Sequence, residues 1–278
     1  MGRILTKVLG LLNSGLHKKD KPNRAKYLKD LDTQARNAEF RKYGGPDGLP
    51  APPPELVYLV TGQWSIEAFY HNGLLGADCI RRILEKNGLT VDAFESILDF
   101  GCGAGRIMRH WRTLRGPKLH GTDYNPHMVK WCQKSLTFAR FTLSDSSSRT
   151  QYEDEQFDFI YVISVFTHLA EARQRFWIEE LTRILKPGGY LLITVHGSTH
   201  LMYLTPEQRQ EFEAGRLIVV NEEYSGTNHC ATYHPEQYVR NSLCQGLTVV
   251  DVVPGGAKDA NQDAFLLQKP MKANGEIC

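Results

Sequence analysis

The sequence predicts an α/β protein with a doubly wound, seven-stranded, mostly parallel sheet covered by helices on both faces. Two observations predict this fold. Over residues 56–270, short runs of apolar residues alternate with amphipathic runs of helical period. Strands that are apolar on both faces belong to parallel sheets with helices on each side. In addition, the glycine-rich turn "DFGCGAGR" follows the first apolar run, as in sheets that bind nucleotides.

Residues 1–55 are predicted to be an N-terminal helical extension that ends in a Pro/Gly-rich linker. Leu5, Val8, Leu9, Leu12 and Leu16 share one helical face, and basic residues flank them. A membrane-surface anchor fits this pattern, and so does a helix that packs on the main domain or on a second subunit, or a frayed tail. Membrane contact by residues 1–20 and a homodimer therefore both stay open.

The elements of the main domain follow in order. Five parallel strands are predicted at residues 96–100, 118–123, 139–145, 157–165 and 189–197. Helices are predicted at residues 77–88, 106–114, 126–136 and 171–185, and two more lie within a long insertion, residues 198–246. The runs 247–256 and 263–270 are joined too closely for a parallel crossover, so they predict an antiparallel hairpin. Residues 271–278 form a tail.

Composition excludes several classes of protein. The six cysteines form neither a CxxC pair nor a zinc-like spacing, and no signal peptide is visible, so we expect reduced thiols and a cytoplasmic location. No apolar run is long enough to cross a bilayer. The first 30 residues carry eight basic and two acidic residues, whereas the other 248 carry 25 basic and 29 acidic. An acidic main domain is a poor match for nucleic acid.

The glycine turn predicts a cofactor that contains a nucleoside. Its spacing is Asp-x-Gly-x-Gly-x-Gly, and Arg106 stands where a dinucleotide fingerprint has its third glycine. That substitution disfavours a dehydrogenase, and no Walker sequence follows. Asp123 ends the next strand, about twenty residues further on, where a carboxylate accepts hydrogen bonds from ribose hydroxyls. Asp123 also suits a helix N-cap, and the two roles are compatible.

"ILDFGCGAGR", "HGTDYNP", "FDFIYVISVFTHL" and "RILKPGGYLLITVHG" together resemble the successive motifs of class I S-adenosylmethionine-dependent methyltransferases. The resemblance covers residues 90–197. It implies a seven-stranded sheet with the last strand reversed, S-adenosylmethionine as cofactor and S-adenosylhomocysteine as product. The wider pattern is similar to bacterial methyltransferases of glycan and secondary-metabolite pathways.

The resemblance also assigns cofactor-binding roles by position. The loop beneath the methionine and ribose comprises Gly101, Cys102, Gly103 and Gly105. Asp99 would lie at the ammonium end, and Asp123 would bind the ribose. The residues assigned to the adenine are Tyr124, Met128, Asp145 and Ser146, and those beside the methyl group are Ser164 and Val165.

The acceptor is predicted to be a small polar molecule, such as a sugar or a natural product, methylated on oxygen or nitrogen. The general base is predicted to be His168, followed by His196. Residues 198–246 and 61–73 are the two candidate lids, and the substrate contacts assigned to them are Gln63, Trp64, Tyr70, His229 and Tyr233. Core packing is the alternative for Trp64.

Two alternative functions remain open. A non-catalytic protein that binds the cofactor and contacts a partner fits the same motifs, as does a membrane-associated enzyme acting on a lipid-linked or protein acceptor. His229, Cys230 and His234 do not match a closed zinc set, so no metal is expected. The chain lacks the Pro-Pro-aromatic and Pro-Cys motifs of DNA methyltransferases after the fourth strand, so no nucleic-acid partner is expected either.

Overall fold

The computed structural model describes residues 24–145 and 148–272, with side chains from residue 29 onward. The strands are β1 (Ser96–Phe100), β2 (Lys118–Asp123), β3 (Arg140–Leu143), β4 (Phe157–Val162), β5 (Leu185–Val195), β6 (Ile218–Val220), β7 (Ala231–Tyr233), β8 (Thr248–Ala257) and β9 (Gln262–Gln268). The α-helices are α1 (Arg24–Tyr43), α2 (Pro54–Thr61), α3 (Ile66–Lys86), α4 (Pro126–Ser135), α5 (Glu171–Ile184), α6 (Pro206–Glu213) and α7 (Glu236–Tyr238).

Seven strands form one sheet in the order β3-β2-β1-β4-β5-β9-β8. β9 runs antiparallel to both of its neighbours, β5 and β8, whereas the pairs among β1 to β5 are parallel. The predicted mostly parallel sheet with a reversed last strand is thereby confirmed. The strand order reverses between β1 and β4, which is where sheets of this kind bind ligands.

Helices cover both faces of the sheet because alternate residues of each strand point to opposite sides. Ile97 and Phe159 belong to a buried cluster that includes side chains of α3 and α4. Leu98 and Ile160 belong to a second cluster with side chains of α5. This two-sided burial explains the apolar residues at three of the five positions of β1 and five of the six of β4.

The helix predicted at residues 106–114 is wrong, because that stretch forms only a short 3₁₀ turn, Met108–Trp111. Met108, Arg109 and Trp111 are all buried in this turn. The helix predicted near residues 77–88 is longer than expected, since α3 begins at Ile66 with Ser65 as its N-cap.

The insertion at residues 198–246 contains a small two-stranded antiparallel sheet, β6 and β7, that the sequence did not predict. Its first helix, α6, has the expected capping box between Thr205 and Gln208. Its second helix is shorter than expected, because α7 continues as a π-helical turn over Val239–Leu243.

The predicted amphipathic helix within residues 1–20 lies outside the described residues. Within the part of the chain that the structure describes, no helix is both long and apolar enough to traverse a bilayer. Further along the extension, the linker lies against the main domain: Asp47 and the backbone of Pro50 both contact the guanidinium of the buried Arg109.

Candidate cofactor and acceptor site

A cavity of about 340 Å³ opens at the carboxyl ends of β1, β2 and β4. Its lining includes Asp99, Asp123 and Ile163–Val165, which lie where these three neighbouring parallel strands end. Because β1 and β4 flank the reversal of strand order, the cavity occupies the crevice expected for a ligand in this architecture. Its size falls within the range of small-molecule sites.

The glycine loop forms the wall of the cavity after β1. Gly101 and Gly103 have φ angles of +76° and +53°, which side chains rarely adopt. A Cβ on Gly101 would lie 2.4 Å from the Cγ2 atom of Val165, and one on Gly103 would lie 2.8 Å from the Cγ2 atom of Val60. The two glycines therefore let the backbone reach the cavity where any side chain would collide.

Asp123 ties the end of β2 to the glycine loop. Its Oδ2 atom accepts a hydrogen bond of 2.8 Å from the Gly103 amide, and its Oδ1 atom accepts one of 2.8 Å from the Asn125 amide. Burial raises the pKa of this carboxyl, although the backbone hydrogen bonds oppose the shift. Each oxygen keeps a further lone pair, so the carboxylate can accept hydrogen bonds from hydroxyl groups in the cavity.

Asp99 is buried and only partly satisfied. Its Oδ2 atom has no hydrogen-bond partner among the described residues. Burial raises the pKa of Asp99 to about 7, while the Tyr161 hydroxyl and the Arg106 guanidinium oppose that shift. Arg106 itself is held 2.7 Å from the Oδ2 atom of Asp259 in a largely buried ion pair. A cation that entered the cavity beside Asp99 would relieve the unpaired carboxylate.

Ser164 and Val165 line the cavity where β4 ends. Ser164 has a φ of +59°, an unusual conformation for a residue other than glycine. The Ser164 hydroxyl lies 3.0 Å from the Oε1 atom of Gln262, and its amide donates to the Thr194 hydroxyl at 2.9 Å. These two contacts stabilise the left-handed backbone conformation of Ser164, which directs the chain past the glycine loop.

His168 lines the same cavity, six residues beyond the end of β4. Its Nδ1 atom lies 2.8 Å from the carbonyl oxygen of Cys230, so Nδ1 must carry the proton. The Nε2 atom is then the basic nitrogen. Burial lowers the pKa of His168, which keeps the ring neutral near pH 7. A neutral imidazole whose free nitrogen is Nε2 is suited to accept a proton.

Comparisons with known proteins agree with this geometry. Residues 98–193 match the family model described as a methyltransferase domain. The chain carries a class I methyltransferase domain. S-adenosylmethionine is the cofactor of that family. A solved S-adenosylmethionine-dependent methyltransferase from Methanosarcina mazei shares this fold with a TM-score of 0.50 and 20% identity, over 68% of this chain and 98% of its own.

Curated relatives of the methyltransferase domain differ in their acceptors. The malonyl-[acyl-carrier protein] O-methyltransferase of Salmonella typhimurium is 26% identical over 56% of this chain and 55% of its own length. The tRNA N(3)-methylcytidine methyltransferase of Schizosaccharomyces pombe is 30% identical over 44% of this chain and 43% of its own. The chain thus spans about half the length of these two relatives.

The residues around the methyltransferase cavity fit S-adenosylmethionine. The unpartnered Oδ2 atom of Asp99 suits an ammonium group, and the spare lone pairs of Asp123 suit ribose hydroxyls. Cys102, Tyr124 and Met128 also line the cavity. When bound, this cofactor supplies an electrophilic methyl group on a sulfonium.

Two of the predicted cofactor residues are placed differently, and a third is outside the described part of the chain. Gly105 does not line the cavity: a Cβ on it would point at Leu136 in the core, 2.4 Å from the Cδ1 atom. After β3 the chain reaches the cavity at Ser144 rather than at Asp145, the next residue. Ser146 lies outside the described residues.

His196 does not line the methyltransferase cavity. Its ring stacks on His200 with centroids 4.4 Å apart and packs beside Tyr233 at 5.3 Å. Burial and the two neighbouring histidines lower the pKa of His196 to about 3. Tyr233, a predicted substrate contact, lies in the same packed group and is also absent from the cavity wall. Among the described residues, no three side chains here form a set that could hold a metal ion.

The remaining predicted substrate contacts also lie away from the cavity wall. Trp64 is half exposed and stacks on Tyr58 with centroids 4.6 Å apart. Tyr70 is buried against the guanidinium of Arg109, 4.3 Å from its ring centroid. Gln63 and His229 are exposed and do not line the cavity.

The structure instead brings to the cavity three groups of residues that were not among the predicted substrate contacts. Leu59 and Val60 of α2 line it, just before the segment 61–73 that was predicted as a lid. Residues 225–228 of the long insertion cover it, and the Asn228 side chain donates to the Leu59 carbonyl at 3.2 Å. The third group comprises Leu169, just before α5, with Arg173 and Trp177 on α5. The spacing of four residues between Arg173 and Trp177 was the signal that could have identified this wall.

Proposed function

We propose that this protein transfers the methyl group of S-adenosylmethionine to an oxygen or nitrogen of a small polar acceptor. The observation that carries the proposal is that His168 shares one cavity with Asp99 and Asp123. Its fixed tautomer leaves Nε2 free to take a proton, which an oxygen or nitrogen acceptor must lose when it is methylated. A carbon acceptor with an already acidic proton needs such a base less.

The chain's residues mainly position and shield the reactants. Held by Asp99 and Asp123, S-adenosylmethionine would supply the methyl group to the acceptor atom, with S-adenosylhomocysteine as the leaving group. The acceptor's proton passes to the Nε2 atom of His168, and the products are S-adenosylhomocysteine and the methylated acceptor. Residues 225–228 and α2 cover the cavity and exclude water, and Asp99 and Asp123 fix the orientation of the cofactor.

The covered cavity supports a small acceptor. A loop bonded across the opening, through Asn228 and the Leu59 carbonyl, leaves a space of small-molecule size. The names of the matched relatives include both a carrier-bound acyl group and a tRNA, so they do not distinguish acceptor classes. The acidic balance of residues 31–278 favours an acceptor other than nucleic acid.

Calorimetric titration tests the cofactor half of this proposal. S-adenosylmethionine and S-adenosylhomocysteine are titrated into the wild type and into Asp123→Ala, with NAD as a control ligand. We expect micromolar binding of both sulfur compounds, at least tenfold weaker binding in the variant, and no binding of NAD. Absence of binding by either sulfur compound would remove the proposal. Tight binding without turnover across an acceptor collection would favour the non-catalytic alternative.

A further inference from the structure

Helix α5 presents one cationic side chain to the cavity. Arg173 and Trp177 lie four residues apart on α5 and both line the cavity, so they share one face of the helix. Leu169, which also lines the cavity, precedes α5 in an extended conformation. Gly226 contacts both Arg173 and the backbone of His168, the proposed base, so Arg173 lies on the same side of the cavity as that base.

Within the described part of the chain Arg173 has no carboxylate partner, unlike the other two arginines of α5. Arg175 pairs with Glu171 at 2.5 Å, and Arg183 pairs with Glu180 at 2.6 Å. For Arg173, no carboxylate of the described residues lies within ion-pair distance. Its hydrogen bond to the Ser225 carbonyl is long, at 3.4 Å, and uses one of its five donors. Most of the N–H donors of the Arg173 guanidinium are therefore free.

The covering loop leaves room for this guanidinium. Gly226 has a φ of +92°, and a Cβ there would lie 3.0 Å from the Nη1 atom of Arg173. The loop is anchored beside it, because the Gly226 amide donates to the His168 carbonyl at 2.7 Å. The Ser225 hydroxyl likewise accepts from the Ala170 amide at 2.8 Å. The loop thus lies against the exposed Arg173 without neutralising it.

The other charged groups of the cavity already have roles. Arg106 is neutralised by Asp259, and the carboxylates of Asp99 and Asp123 face the cofactor end. A free guanidinium at the wall of a cavity can bind carboxylates and phosphates with two parallel hydrogen bonds. We propose that the acceptor carries an anionic group, a carboxylate or a phosphate, which Arg173 binds. This inference rests on the proposed function and specifies its substrate class.

Matched fragment pairs test the inference without knowledge of the acceptor. Carboxylic acids and phosphate monoesters, each paired with a neutral amide or hydroxyl counterpart, are screened against the protein saturated with S-adenosylhomocysteine. Binding is read by saturation-transfer NMR. We expect wild-type hits to be anions, with about tenfold preference over their counterparts. The two anion classes form separate arms and so identify which group is bound.

Arg173→Gln should abolish the anion preference, and Arg173→Lys should keep part of it. Arg175→Gln, an exposed arginine on the same helix, is the matched control and should behave as wild type. The affinity for S-adenosylhomocysteine should stay within twofold in all three variants. If that affinity falls tenfold in Arg173→Gln, Arg173 serves the cofactor's own carboxylate and the inference is overturned.

Two further outcomes also count against the inference. Wild-type hits that are equally acidic and neutral, or an absence of anionic hits, would show that Arg173 does not select the acceptor. Failure of S-adenosylhomocysteine to bind the wild type would instead defeat the proposed function itself. The cofactor titration therefore separates the two failures before the fragment screen begins.

Discussion

The Nδ1 atom of His168 lies 2.8 Å from the carbonyl oxygen of Cys230, and this contact decides which ring nitrogen carries the proton. A carbonyl only accepts, so Nδ1 donates and Nε2 holds the free lone pair. Cys230 belongs to the long insertion, immediately before β7. The insertion therefore sets the tautomer of the proposed base as well as covering the cavity.

Replacing His168 tests its proposed role as the base. We expect His168→Asn to lower kcat/KM for a methylated oxygen or nitrogen acceptor by about 10²–10⁴, the usual loss for a general base. The affinity for S-adenosylhomocysteine should change less than threefold. Because burial lowers the pKa of His168, wild-type kcat/KM should fall with decreasing pH only below the ordinary histidine range near 6.5.

Formation of S-adenosylhomocysteine measures both effects. His71→Asn, which changes an exposed histidine on α3, is the matched control and should retain wild-type rates. A His168→Asn variant with unchanged kcat/KM across the pH range would assign proton removal to another group or to water.

Asp99 predicts how cofactor binding depends on pH. Its pKa is about 7, and only the ionised form attracts an ammonium group. We therefore expect the affinity for S-adenosylmethionine to fall about tenfold between pH 8 and pH 6, as Asp99 takes up a proton. Asp99→Asn should bind more weakly at pH 8 and lose most of this dependence. Calorimetry at four pH values measures it, and an equal pH dependence in the variant would contradict the assignment.

The same carboxyl predicts the stability of the cofactor-free protein. The folded-state pKa of Asp99 lies above its unfolded value of 3.8, so folding takes up a proton between these two values. The cost of burying the ionised form is absent below pH 4 and complete above pH 7. Asp99→Asn should therefore raise the free energy of unfolding more at pH 8 than at pH 5, by on the order of 2 kcal/mol. Denaturant titrations at both pH values measure this, and equal gains would contradict it.

The parts of the site on β1 and β2 were predictable from the sequence because their signals are local. A short apolar strand, an acidic residue and alternating glycines occupy the consecutive residues 96–105, and Asp123 ends the next strand. Parallel pairing brings these strand ends together independently of the rest of the chain, as the pairing of Asp99 on β1 with Gly121 on β2 shows. The sheet, with its reversed final strand, followed from equally local patterns.

The insertion 198–246 was predicted as a lid, but the residues of it that cover the cavity were not predictable, because distant contacts set its path. Residues 225–228 reach the cavity through hydrogen bonds to Ala170 and to the His168 carbonyl, more than fifty residues away. The sequence there shows a polar and aromatic stretch, from which His229 was predicted instead as a substrate contact. Similarly, Tyr70 looks like an exposed lid residue in sequence, but it packs against the buried Arg109.

The pair of Asp47 and Arg109 predicts a large stability effect. The Arg109 side chain is fully buried, and its guanidinium is paired with Asp47. Asp47→Ala leaves that charge unpaired and should cost about 3 kcal/mol of unfolding free energy. Asp32→Ala is the control, since it breaks an exposed pair with Arg36 and should cost under about 0.5 kcal/mol.

A double variant separates the unpaired charge from lost packing in this pair. If the stranded charge causes the loss, Asp47→Ala/Arg109→Met should recover at least about 1 kcal/mol relative to Asp47→Ala. Urea titrations followed by circular dichroism measure the stability of the wild type, of Asp47→Ala, of Arg109→Met and of the double variant. A double variant less stable than either single variant would mean that packing of the Arg109 side chain dominates.

Gly101 gives the last prediction, because two separate constraints act on it. Its φ of +76° penalises any side chain, and a Cβ would lie 2.4 Å from the Cγ2 atom of Val165. Gly101→Ala should lower the free energy of unfolding by about 2 kcal/mol or more, and it should weaken S-adenosylhomocysteine binding at least tenfold. Adding Val165→Ala removes the collision but leaves the unfavourable φ, so the double variant should recover only part of both losses. Full recovery would show that space alone requires glycine at this position. No recovery would show that the left-handed backbone conformation alone requires glycine. The single variant Val165→Ala measures the stability lost through the cavity that this substitution creates.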